Sequence, residues 1–148
     1  MTPDGISDAD WDRVHELAVE IVNAPEDSDD EREHVEQLFR YLDQLEHKYG
    51  VLPSLLATRA DYVKDPRESL RLLERAYGLS QDTDDARNML YTASSIAKLY
   101  IEHFRDVQNA EAWLRAIEDA LKRTGDESDI LEYQQLRTSL TRIREEQP

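Results

Sequence analysis

Apolar residues recur every three and four positions along most of this chain, the spacing that lines one face of a helix, and the pattern predicts seven helices. The first starts after Ser7, with Asp10 as an acidic capping partner three residues on. It presents Trp11, Val14, Leu17, Ala18, Ile21 and Val22 on one side and stops at Pro25. The second opens with a capping box from Ser28 to Glu31, carries Val35, Leu38, Phe39, Leu42, Leu45 and Tyr49, and ends at Gly50. Pro53 suits the first turn of a third helix bearing Leu55, Leu56, Ala60 and Val63. Asp65, Pro66 and Glu68 then supply a cap, a first helical residue and a box for the fourth, which Gly78 is expected to end. The fifth runs from about Asp84 to Phe104 with Met89, Leu90, Ala93, Ile96, Ala97 and Tyr100 inward, and the sixth from about Val107 to Arg123, closed by Gly125. The seventh shows Tyr133, Leu136, Leu140 and Ile143 on one side and none of the alternation a strand needs.

Composition changes this picture little. The 148 residues, 39% hydrophobic, suffice for the core of one all-helical domain spanning 1–148. The absence of cysteine removes disulfides, thiolate metal sites and cysteine nucleophiles. Neither a basic-then-apolar leader at Met1 to Ser7 nor a run of about 18 apolar residues occurs, so a cytoplasmic protein without a membrane span is expected.

Taken in pairs, the helices share a grammar. Leu17-Ala18-x-x-Ile21 is followed by Val35-x-x-x-Phe39-x-x-Leu42, and Leu56-Ala57-x-x-Ala60 by Ser69-x-x-x-Leu73-x-x-Ala76. Ile96-Ala97-x-x-Tyr100 is followed by Asn109-x-x-x-Trp113-x-x-Ala116. A small residue in mid-helix lets the partner helix approach, and a large residue opposite fills the groove. Over about residues 10 to 122 this grammar resembles the tetratricopeptide repeat and its degenerate relatives. The family's glycine is replaced by Ala18, Ala57 and Ala97, and the terminal proline is missing. The expected architecture is a short stack of antiparallel helix pairs with the seventh helix as a cap, or a plain helical bundle with the same spacing. The resemblance implies a concave wall built from the first helix of each pair. It carries over to His15 and Val19, to Ser54 and Thr58, to Asp61 and Tyr62, and to Ser94 and Lys98, with Tyr91 and Glu102 at the margins. Tyr62 and Tyr91 are the implied anchors, since tyrosine offers contact area at little rotamer cost.

Charge is where the halves of the chain differ. Residues 1–50 hold 15 acids against 4 bases, and so carry most of a net charge of −15. That balance opposes nucleic acid, whose binding needs Lys and Arg to displace counterions, and anionic membranes for the same reason. Asp12, Glu16 and Glu20 recur every four residues on the outer side of the first helix, where each like-charged pair costs about 0.2–0.5 kcal/mol. Glu33, Glu36, Asp43 and Glu46 continue the acidity on the second, relieved only by Arg40. Such a surface is either a solvated face or one matched to a cationic partner.

Chemical motifs are sparse. Glu31-x-x-His34, loosely imitated by Asp12-x-x-His15, has the spacing of a di-iron helix pair but lacks the two further inward glutamates. Ser95-x-x-Lys98 has a serine-lysine spacing without its companion motifs. With Ala93, Ser94 and Ala97 it reads better as a small-residue strip for close helix packing. No phosphate loop or supported nucleophile triad appears, so neither an enzyme nor a cofactor is expected. The leading expectation is a binding protein for a basic partner, most concretely an immunity protein or antitoxin held against a cationic toxin such as a nuclease. The candidate contacts are Asp12, Glu16, Glu20, Glu33, Glu36, Asp43, Tyr62, Tyr91 and Lys98. The alternative is a scaffold or secretion chaperone holding an extended peptide in the concave groove, and a homodimer through the third helix pair stays open.

Overall fold

The computed structural model describes residues 1–147, and among them the chain forms seven α-helices and no strand. They are α1 (Asp8–Asn23), α2 (Asp29–Tyr49), α3 (Pro53–Tyr62), α4 (Pro66–Asp82), α5 (Ala86–Leu99), α6 (Val107–Leu121) and α7 (Glu127–Glu146). A π-helical turn, Tyr100–Phe104, prolongs α5.

Six of these helices begin on a side chain that accepts an orphan amide: Ser7, Ser28, Asp65, Asp85, Asp106 and Asp126. The box expected at Ser28 closes in one direction only, the Glu31 amide donating to Ser28 Oγ at 3.0 Å. A reciprocal box forms instead between Asp126 and Asp129, 3.0 Å both ways. The exception is α3, whose N-cap residue, Leu52, has no oxygen to offer. Its cap comes from fifty residues upstream: Asp4 accepts the Ser54 amide and the Ser54 hydroxyl, each at 2.8 Å. Thr2 steadies that turn by accepting the Ile6 amide at 2.8 Å, and Ile6 drops into the core.

Asp10 does not turn back to cap α1. Its carboxylate joins the start of α1 to the end of α2, accepting from Lys48 Nζ at 2.8 Å, Tyr49 OH at 2.5 Å and Tyr41 OH at 3.3 Å. Those donors, Lys48 first and Tyr49 next, lower its pKa from 3.8 to about 2. A carboxylate whose folded value lies below its unfolded one stabilises the fold above the unfolded value and loses that contribution as the pH falls through the folded one. Asp10→Asn is therefore expected to melt below the parent protein at pH 7, with the gap closing between pH 3.8 and about pH 2. Melting curves across that range check it.

Each helix packs on its neighbours in sequence, and α3 also touches α5 as α5 touches α7. Short connections join the packed pairs, and α1, α3 and α5 border one concavity. The core has three parts. One fills the α1–α2 hairpin and includes Ile6 and Leu55, one lies between α3, α4 and α5 around Leu73 and Ile96, and one joins α5, α6 and α7 around Leu114, Ile117 and Leu140. Tyr77, Tyr100 and Trp113 pack against both of the last two. Outside them, Arg137 clamps α7 to α6 through Glu111 at 2.8 and 2.9 Å and Glu118 at 2.7 Å.

Two expectations need correction. Gly78 does not end α4, which runs one turn further to Asp82 because the buried Ser80 holds that turn in the core, its hydroxyl donating to the Ala76 carbonyl at 2.8 Å. The small-residue strip of α5 also divides: Ala93 and Ala97 are fully buried against α6, while Ser94 and Ser95 stay partly exposed.

Candidate functional site

Three of the odd-numbered helices each turn one face to a shared concavity of about 370 Å³. Helix α1 supplies Trp11 and His15 one turn apart, their rings meeting edge to face at 5.6 Å. Helix α3 supplies Thr58, Asp61 and Tyr62, and α5 supplies Arg87, Asn88 and Tyr91. Thr2 and Pro3, from the turn that caps α3, close one end. A second concavity of about 390 Å³ continues past Asp61 and Tyr91 to Ser95, Lys98, Glu102 and Glu132. A third, about 600 Å³, opens on the other flank of α3, beside Phe39, Glu36 and Lys64.

Asp61 lines all three. Tyr91 OH donates to its Oδ2 at 3.2 Å, the one hydrogen bond at this carboxylate among the described residues. By area both groups are open, Tyr91 being 48% exposed, but the walls of the groove stand over their polar ends and displace water. Desolvation therefore raises the Asp61 pKa, opposed by the Tyr91 hydrogen bond and the charge of Lys98. Tyr91 is raised strongly, first by desolvation and then by the Asp61 charge, and Tyr62 in the same direction for the same two reasons. The groove's own bases do not neutralise Asp61. Arg87 donates to Asp129 at 2.7 Å, and Lys98 forms no ion pair among the described residues.

The resemblance to tetratricopeptide repeats placed His15, Ser54, Thr58, Asp61, Tyr62 and Tyr91 along one wall, and all six line the first concavity; Lys98 lines the second. Val19 and Ser94 line neither of them, Val19 being exposed and Ser94 partly buried. Trp11 and Arg87 were missing from that expectation, although each sits one helical turn before a residue in it, Trp11 before His15 and Arg87 before Tyr91.

The acidic candidates do not form one uncompensated patch. Arg13 meets Glu16 at 3.1 Å, His34 Nδ1 lies 3.4 Å from Glu20, and Arg59 of α3 binds Asp43 at 2.7 Å. Arg59 also lies over the Phe39 ring at 5.1 Å, so Asp43 helps to fasten α2 to α3. His34 and Asp43 are nine residues apart, half a turn around α2, and the two acidic sets thus occupy opposite flanks of that helix. Asp12, Glu33 and Glu36 are exposed and form no ion pair among the described residues. No group of three or more His, Asp or Glu able to hold a metal ion occurs among those residues. Likewise none of the described helices is long and apolar enough to cross a membrane.

No family model, curated protein or solved structure matches this chain. The chemistry of the groove is what remains to indicate a role. Its polar and aromatic side chains include two phenols, an indole, an imidazole, an amide, a carboxylate, the Thr58 hydroxyl and the Arg87 guanidinium held by Asp129, and the Ser54 hydroxyl at its edge is already engaged by Asp4.

Proposed function

We propose that this chain is a non-enzymatic protein-binding module that holds a segment of a partner protein in the groove of α1, α3 and α5. The observation that carries this reading is the convergence of Trp11, Tyr62 and Tyr91 from three helices on one concavity of about 370 Å³. Rigid aromatic rings give large contact area for little lost rotamer freedom, and a few fixed polar groups among them set orientation. Support also comes from α1, α3 and α5 lining one groove, the arrangement that the resemblance to tetratricopeptide repeats implies. A scaffold or chaperone for an extended peptide is the corresponding role.

The second reading, an immunity protein or antitoxin covering a basic toxin such as a nuclease, is favoured by the exposed and unpaired Asp12, Glu33 and Glu36 and by the net charge of −15. Electrostatic steering would then dominate association and weaken with salt.

One experiment separates the two. The full chain is used to capture binding proteins from its native host at low and high salt, and the affinity of the captured partner is measured for variants. The groove reading expects Tyr62→Ala or Tyr91→Ala to weaken binding roughly 30-fold, about 2 kcal/mol, with little dependence on salt. Tyrosine variants that bind normally, beside a loss of binding in the Asp12→Asn, Glu33→Gln, Glu36→Gln triple variant, would transfer the role to the acidic surface.

A further inference from the structure

We propose that the groove recognises an arginine side chain of its partner, with the guanidinium bound to the Asp61 carboxylate and flanked by the rings of Tyr62 and Tyr91. The inference rests on the groove being the binding surface and names the chemistry it selects.

The molecule already binds its own arginines this way. Arg59 lies 5.1 Å over the Phe39 ring while donating to Asp43 at 2.7 Å. Arg137 lies 5.6 Å over the Tyr133 ring while donating to Glu111 and Glu118. A planar, weakly hydrated guanidinium stacks on an aromatic face and presents its fork of donors to a carboxylate at the same time. The groove repeats the arrangement, with aromatic rings beside a carboxylate, but the arginine that lines it, Arg87, pairs with Asp129 and not with Asp61.

Four observations narrow the occupant to a cation. First, Asp61 lacks an ion pair among the described residues, and Arg87, which lines the same concavity, is engaged by Asp129. Second, Tyr91 satisfies only Oδ2, and Oδ1 is left to accept from a ligand. Third, Asp61 borders all three concavities, so a side chain can reach it from any of them. Fourth, a carboxylate stripped of part of its water regains favourable interaction from a charged donor, and the field of a chain at −15 draws cations toward it. Lys98, which lines the second concavity with Asp61, moderates the field there without pairing to it, and Lys64, which lines the third, meets Asp27 at 3.5 Å.

The test uses the full chain and two probes, acetyl-Gly-Gly-Arg-Gly-Gly-amide and the same peptide with citrulline, which keeps the shape of arginine and removes its charge. Amide and indole resonances are followed by NMR during titration. The arginine peptide is expected to shift Trp11, Asp61, Tyr62 and Tyr91 saturably and to bind roughly tenfold more tightly than the citrulline peptide. Asp61→Asn should abolish that preference, and if this variant fails to fold, the comparison of the two peptides decides alone. Equal binding of both peptides, an arginine preference that survives Asp61→Asn, or shifts confined to the acidic faces of α1 and α2 would each overturn the proposal. So would silence of the groove toward both peptides. In all of these cases the groove itself is judged separately, by whether Tyr62→Ala and Tyr91→Ala still weaken capture of the natural partner.

Discussion

Ile6→Ala is expected to remove about 2–5 kcal/mol of stability, a large share of what holds a domain of this size together. Ile6 is 0% exposed and packs in the cluster that contains Val14, Leu17, Leu38, Leu42 and Leu55. Truncation therefore removes transfer free energy and leaves a cavity between two helices that the hairpin cannot readily close. The same segment carries Asp4, the cap of α3, so loosening it also releases the Ser54 amide and hydroxyl. Urea unfolding of the variant should show a lower midpoint at a similar slope. A loss below about 1 kcal/mol would mean that residues 2–6 do not contribute to the core as their burial indicates.

Ala97→Leu should cost about 1–3 kcal/mol by the opposite route, overpacking. Ala97 is 0% exposed and faces α6, where Ala110 and Leu114 are equally buried. The short side chain is what lets the two helices approach, and added methylenes must push either the helices or their neighbours off their rotamers. Ser95→Leu, two residues away on the partly exposed groove side, serves as the control and should change stability by about 0.5 kcal/mol or less. A melting comparison of the two variants checks the prediction; equal effects would refute the division of the strip.

Much of the fold could be read from the chain because helices announce themselves locally. Period, cap and breaker agree at Ser7, Ser28, Pro53, Asp65 and Gly50, and the structure puts helix ends at each. Where tertiary contacts decide, the reading fell short. Gly78 looks like a stop in isolation, but its backbone stays helical because Ser80 and Ala76 are buried on either side of it. The π-helical turn has no local signature. Its Arg105 sits at φ 50, and the Tyr100 carbonyl accepts the Asp106 amide at 2.9 Å, an arrangement set by how Tyr100 packs between two clusters.

The site divides in the same manner. Tyr62, Tyr91 and Asp61 could be placed on one wall through the resemblance to tetratricopeptide repeats, which implies that the first helix of each pair lines it. The fate of the acids could not, since pairing depends on which arginine arrives from another helix. Arg59 lies sixteen residues from Asp43 in sequence and 2.7 Å away in space. Counting charge along the first fifty residues therefore overstated how much of it is free.

The turn that caps α3 also sets how the protein should be handled. Thr2 and Pro3 line the groove, so anything joined ahead of Met1 emerges beside the proposed binding surface. A purification handle or fluorescent fusion at that end would compete with a ligand or alter its entry. The end of α7, where the exposed Glu145 and Glu146 line none of the three concavities, is the better place of attachment for immobilisation.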